Sequence, residues 1–110
     1  MRLMIIKSSK LPSKKRGNMK ITEYKINTDF SGALIEIKGR HGKIKCTAED
    51  RIYFIVSGTG KFIIGGKSAS VSKNDVVFIP ENTPYDISGK LRYFLISSPE
   101  FHPSHDVSLE

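Results

Sequence analysis

Few side chains in this 110-residue sequence are suited to chemistry, and their spacing narrows what that chemistry is. Arg51 and Tyr53 stand two apart in the run Arg51-Ile-Tyr-Phe-Ile-Val56. As a strand, this run puts Arg51, Tyr53 and Ile55 on one face and Ile52, Phe54 and Val56 on the other, because alternate residues share a face. A guanidinium beside a phenol can pair bidentately with a carboxylate or phosphate while the hydroxyl orients the ligand. The competing reading is an ion pair of Arg51 with Glu49, Asp50 or Asp86, with the tyrosine filling space. Cys46 is the only cysteine, which excludes an intramolecular disulfide and a cysteine-rich zinc framework. It becomes a nucleophile only if a cation such as Arg51 lowers its pKa, and otherwise is a small buried thiol. His102 and His105 are three apart but lack a third and fourth ligand nearby, so they read as tail histidines, and His41 in Gly39-Arg-His-Gly42 reads as a turn residue.

The elements that position these residues are short strands. Apolar segments over 21–26, 33–38, 43–47, 51–56, 61–64, 68–71, 76–79 and 91–97 are separated by turn signals, and no 3,4-spaced apolar stripe is sustained. Ser57-Gly58-Thr59-Gly60 and Gly65-Gly66 are read as tight hairpins, where glycine supplies positive φ. Pro80 and Pro84 bracket a rigid loop that must end the strand at Ile79, since proline cannot donate to a ladder. The fold class is all-β, a single antiparallel barrel.

Composition bounds the partners. A hydrophobic fraction of 38% suits one compact domain. Residues 1–20 hold seven basic and no acidic side chains, while the other ninety balance 11 basic against 11 acidic groups. The net charge of +7 therefore sits in the first twenty residues, nearly all of it in a basic arm, residues 1–18, whose Ser8-to-Asn18 stretch reads as a flexible lead-in to a barrel domain over 19–110. A neutral domain argues against nucleic-acid binding, which needs a basic face. The four-residue apolar run Leu3 to Ile6 is too short for a secretory or membrane segment. Together with the lone cysteine this points to a cytoplasmic protein.

The order of motifs resembles the cupin superfamily. Arg51-Ile-Tyr-Phe-Ile-Val-Ser-Gly-Thr-Gly60 is similar to the end of the first cupin motif, and Asn74-Asp-Val-Val-Phe-Ile-Pro-Glu-Asn-Thr-Pro-Tyr85 to the second, with Ser98-Pro-Glu-Phe101 similar to the exit segment. The resemblance covers roughly residues 33–101 and implies a double-stranded β-helix, or jelly roll. In metal-binding cupins the first motif supplies two histidines and a glutamate and the second another histidine. Here Arg51 falls at the glutamate position, Tyr85 at the last histidine, and Ile44 and Cys46, or alternatively Lys45 and Thr47, at the first two. The resemblance thus implies no metal and no other cofactor, with Arg51, Tyr53, Tyr85 and Cys46 lining a barrel interior of the kind that takes small molecules. The leading expectation is a metal-free domain binding a small polar or anionic metabolite. The alternatives are a cupin-type isomerase, epimerase or lyase, possibly metal-dependent under another alignment, and a dimeric scaffold with a basic arm. Surplus apolar residues at Ile52, Phe54 and 91–96 point to a homodimer through the sheets, with Leu3 to Ile6 available to extend the partner's sheet.

Overall fold

Residues 4–26 and 28–110 are described by a computed structural model. Among the described residues nine strands form one antiparallel sheet: β1 Ser13–Arg16, β2 Met19–Tyr24, β3 Ser31–Arg40, β4 Ile44–Cys46, β5 Asp50–Ile64, β6 Lys67–Ser72, β7 Val76–Ile79, β8 Tyr85–Ser98 and β9 Asp106–Ser108. Two strands organise it. β5 pairs with β8 from Asp50↔Ser98 to Ile64↔Tyr85, and the sheet curls around this long ladder into a half-barrel. On one side run β1, β2, β3 and β8; β6 and β7 flank β5 in turn, and β4 joins the start of β8 to β9. The inward positions of β5 and β8 meet in the core, where Tyr53, Phe62, Tyr85 and Tyr93 are each at most 2% exposed. Their rings pack edge to face at centroid distances of 5.1 to 6.4 Å, a favoured geometry for aromatic pairs. Among the described residues no helix is long and apolar enough to cross a membrane.

The alternation expected for residues 51–56 is present, with Arg51, Tyr53 and Ile55 buried and Ile52 and Phe54 facing out. Gly65 and Gly66 form the expected two-residue hairpin with positive φ at both, joining Ile64 to Lys67. The hairpin expected at Ser57–Gly60 does not exist: those residues lie inside β5, which continues past a bulge between Ile55 and Ser57. The glycines serve a close approach instead. A Cβ on Gly58 would sit 2.1 Å from the Lys90 carbonyl oxygen, and one on Gly89 would sit 2.5 Å from the Gly60 Cα. Without side chains there, β5 and β8 pass close together where the sheet bends.

Three other segments differ from the sequence-based reading. Part of the lead-in forms β1, with Ser13↔Thr22 to Arg16↔Met19 paired across a turn at Gly17 and Asn18. Of the run Leu3 to Ile6, expected to extend a partner's sheet, Leu3 lies outside the described residues, and Met4 to Ile6 form no strand within this single chain. The last long strand begins at Tyr85, not Leu91, and the tail closes back as β9 on β4.

Candidate functional site

Inward alternation brings Arg51 and Tyr53 of β5 to the end of the barrel where β8 starts at Tyr85. Arg51 Nη1 donates to the Tyr85 hydroxyl at 2.9 Å, and the Tyr85 and Tyr53 hydroxyls lie 2.5 Å apart. The three residues are 1 to 3% exposed. Burial is the largest influence on both phenols and raises both pKa values, so they remain protonated donors at neutral pH. Burial acts against the charge on Arg51, but the oxygens of Tyr85, Tyr53 and Asp106 outweigh it and its pKa is raised. Arg51 is a permanent cation here.

That cation is neutralised from within the chain. Glu49, wholly buried, accepts from Arg51 Nη2 at 3.0 Å and Nε at 3.3 Å through Oε1. Its Oε2 accepts from the His102 backbone N–H at 3.1 Å and from His105 Nδ1 at 2.6 Å. Asp106 Oδ1 lies 2.8 Å from Arg51 Nη2, an electrostatic contact without hydrogen-bond alignment. The Phe101 ring covers the guanidinium at 5.8 Å. A buried charge is tolerated when it is paired and hydrogen-bonded in this way. The tail therefore folds over the barrel end as a strap, residues 99–108, and His105 is a partner of Glu49 and not a free tail histidine.

His41 completes the cluster. Its ring stacks on Tyr85 with centroids 6.2 Å apart and planes inclined by 20°. Its Nδ1 is 2.8 Å from the Gly42 carbonyl oxygen. A carbonyl only accepts, so Nδ1 carries a proton, and Nε2 is the ring nitrogen left to exchange one. The site thus holds one candidate base beside two phenolic donors locked by an arginine. Cys46 lies on the neighbouring β4, 3% exposed, with its backbone paired to Asp106. Burial raises its thiol pKa despite the lowering influences of the Ala48 backbone and Arg51. Held as a thiol, it is a poor nucleophile.

A cupin metal does not fit this donor set. Ile44 offers no ligand, Cys46 is a buried neutral thiol, and Arg51 places a fixed positive charge where a carboxylate would be needed. Lys45 and Thr47, the alternative pair, are no better. Among the described residues no group of three or more His, Cys, Asp or Glu is arranged to hold a metal.

Sequence reasoning reached Arg51, Tyr53, Tyr85 and Cys46, offered Glu49 as one of three ion-pair partners for Arg51, a pairing the structure contains, and missed His105, Asp106 and His41. His105 and Asp106 depend on the return of the tail, which a three-residue strand such as Asp106–Ser108 does not announce. His41 carried a local signal, since Gly39 and Gly42 on either side mark a tight connection at a barrel rim.

The comparisons agree with this architecture. An uncharacterized Streptomyces coelicolor protein is 33% identical over 55 residues, 47% of this chain and 52% of that one, so the chain spans about half the length of this curated relative. Streptomyces Pac13 with uridine superposes with a TM-score of 0.90 at 16% identity, covering 100% of this chain and 93% of that chain. Pac13 is described as a nucleoside dehydratase. Three of its uridine-bound structures are variants, two with a tyrosine changed to phenylalanine and one with a histidine changed to glutamine. KdgF from Halomonas sp. superposes at 0.84 with 12% identity, over 94% of this chain and 98% of that one. At such identities the likeness carries the fold alone. A family model described as "Mannose-6-phosphate isomerase, cupin domain" matches residues 20–98, and the chain accordingly belongs to that cupin family.

Proposed function

We propose that this chain binds a small, uncharged polar metabolite at the barrel end formed by His41, Tyr53 and Tyr85, and performs acid–base chemistry of the lyase class on it. The observation that carries this reading is the stacking of His41 on Tyr85, whose hydroxyl is tied to Tyr53 and Arg51. An elimination takes a proton from carbon and returns one to the leaving hydroxyl. His41 Nε2 is the acceptor in this scheme, and the Tyr53–Tyr85 pair is the donor, kept protonated by burial. Arg51 is a positioning residue that fixes the Tyr85 hydroxyl. Because Glu49 and Asp106 already balance its charge, the site favours a neutral ligand over a carboxylate or phosphate. The buried phenols become accessible when the strap over residues 99–108 parts.

Pac13 supports the reading: it is a nucleoside dehydratase of the same fold, and its variants alter the same residue types that meet here. Uridine is therefore the first probe, with mannose 6-phosphate, suggested by the family description, as the anionic comparison. In isothermal titration, saturable uridine binding that falls at least about tenfold in both His41→Gln and Tyr85→Phe supports the site. Binding of mannose 6-phosphate through Arg51, or uridine affinity indifferent to His41 and Tyr85, defeats it. Binding without turnover of any neutral polyhydroxylated probe would leave a metabolite-binding domain and remove the lyase chemistry.

A further inference from the structure

We infer that the outer face of the sheet binds single-stranded nucleic acid across β1, β2, β3, β8 and β5, where exposed cations from these five strands stand in rows. This inference is independent of the reading of the barrel interior. The formal neutrality of residues 21–110 conceals the rows, because nearly all the acidic groups lie elsewhere. Glu49, Asp86 and Asp106 are held at the barrel end by Arg51 and Arg40, and Glu110 is also on Arg40. Glu23 pairs with Lys14, and Asp75 accepts the Ser72 backbone N–H in the turn after β6. Asp29, Asp50, Glu81 and Glu100 belong to the opposite end of the sheet, around the pairs Ser31↔Ser97 and Asp50↔Ser98. Of the eleven acidic residues, Glu36 alone stands within the rows.

Strand registers set the rows. One runs Lys15, Lys20, Glu36, Arg92 and Ser57. The next runs Lys38, Lys90, Thr59 and Ser72, and the third Arg40, Ser88, Lys61 and Ser70. Lys15, Lys20, Lys38, Lys61, Lys90 and Arg92 are all exposed. Among the described residues only Arg92 of these six has an acidic partner, Glu36 at 3.4 Å. Lys15 lies directly opposite Lys20, and Lys38 directly opposite Lys90. Like charges so placed destabilise a sheet, and an anion across each pair turns the repulsion into attraction. The side chains between are serine and threonine hydroxyls, which hydrogen-bond to phosphate oxygens. No apolar side chain stands in these rows to enter a bilayer, which sets the surface apart from an amphipathic lipid-binding one.

The breadth of the face selects the form of nucleic acid. Its cations span four interstrand spacings of about 4.8 Å, about 19 Å in all. That is wider than the ~12 Å major groove of a duplex. Among the described residues the helices are three-residue 3-10 turns, so no helix is available to enter a groove either. A broad sheet face suits a strand laid across it and held by charge and base stacking. A groove of about 160 Å³ adjoins the first row and is lined in part by Lys20, Thr22, Tyr24, Glu36 and Arg92. It sets an aromatic ring beside two cations, where an unpaired base can enter and a paired one cannot.

Fluorescence anisotropy of a labelled oligo(dT) of about 20 nucleotides, titrated with the full chain, tests the inference. Saturable binding is expected at about 50 mM NaCl. The logarithm of the affinity should fall against that of salt with a slope of about −3.5, at about 0.7 per phosphate for six cations less one carboxylate. Lys38→Gln with Lys90→Gln should lower affinity at least about tenfold and bring the slope to about −2. Tyr24→Leu should lower affinity about fivefold and leave the slope unchanged. Lys25→Gln with Lys43→Gln alters two exposed lysines outside the rows, makes the same change in net charge, and should move affinity less than about twofold. Circular dichroism checks that every variant keeps the barrel. No saturable binding at about 100 µM protein overturns the inference, as does an equal loss in the two lysine pairs, which is attraction to net charge alone. Tighter binding of the matching duplex overturns the single-stranded form, and affinity indifferent to Tyr24→Leu overturns stacking in the groove. Retention on phosphatidylserine vesicles without oligonucleotide binding assigns the face to a membrane instead.

Discussion

Removing the Tyr85 hydroxyl should damage the protein far more than removing the Tyr53 hydroxyl, although the two phenols are equally buried and differ by the same atom. Tyr85 accepts from Arg51 Nη1 and is joined to Tyr53, so Tyr85→Phe strands a buried charged donor and a buried hydroxyl at once. An unmet hydrogen bond to a buried charged group costs about 1.5–3 kcal/mol and an unmet neutral one about 1 kcal/mol, for a sum of about 2.5–4 kcal/mol. Tyr53→Phe breaks only the shared bond, at about 1 kcal/mol, since Arg51 still serves Tyr85. In the double variant the Tyr53 hydroxyl is already absent, so the two losses overlap by about 1 kcal/mol and do not add. Urea unfolding followed by circular dichroism, with the slope unchanged, measures all three values. Equal destabilisation by the two single variants, or additivity in the double, would refute the arrangement in which Tyr85 is the hub.

Alkaline stability follows from the same phenols. Tyr53, Tyr85 and Tyr93 have pKa values raised by burial, so folding retains protons that the unfolded chain releases above pH 10. Stability is thus full below pH 10 and falls as pH climbs toward the folded-state values, by about 4 kcal/mol per pH unit for three phenols. Tyrosinate absorbance from these three should appear only together with loss of the circular dichroism signal. Glu49→Ala leaves Arg51 without its main partner in a buried site and should cost about 3–5 kcal/mol in urea unfolding, while exposed Glu100→Ala should cost less than about 0.5 kcal/mol. Gly58→Ala should prevent folding, because its Cβ would meet the Lys90 carbonyl oxygen at 2.1 Å. Gly65→Ala, with no neighbour within 4 Å but φ at +56°, should cost only about 1 kcal/mol by thermal melting.

Much of the barrel was legible because β5 advertises its own two faces: Arg51, Tyr53 and Ile55 alternate with Ile52 and Phe54, and burial follows that alternation residue by residue. The second motif was equally plain, since Pro80 ends β7 at Ile79 as its missing N–H requires. The glycines were harder. Gly58 and Gly60 suit a hairpin as well as a close strand crossing, and what decides between them is Lys90, Ser88 and Gly89, some thirty residues away. Within the site, Arg51 was placed and Glu49 stood among its candidate partners, but Asp106 and the covering tail did not. Glu49 lies on the connection before β5, and His105 is 56 positions further on, so their contact is fixed only by the return of the tail onto β4. His41 reached Tyr85 for a similar reason: its backbone N–H donates to the Ile87 carbonyl oxygen, a link that nothing in Gly39-Arg-His-Gly42 specifies.

The exchange of a carboxylate for Arg51 at a cupin ligand position reverses the electrostatic demand of the whole barrel end. A metal site needs negative and neutral donors converging on an added cation, whereas Arg51 brings its own cation and requires the chain to supply the anions. Glu49 and Asp106 meet that requirement from outside the cupin ligand positions, and Phe101, His102 and His105 close over them. With the charge settled internally, the groups left to act on a ligand are neutral donors, the two phenols, and one lone pair, that of His41 Nε2. Under the proposed reading, proton transfer and hydrogen bonding stand where metal-binding cupins use Lewis acidity. It ties that chemistry to the strap, because the residues that neutralise Arg51 also cover it. A chain ending before Phe101 would lose Asp106 and the two donors that hold Glu49 Oε2. Loss of both uridine binding and stability in such a truncation, with only uridine binding lost in His41→Gln, would separate the strap's electrostatic role from the imidazole's chemical one.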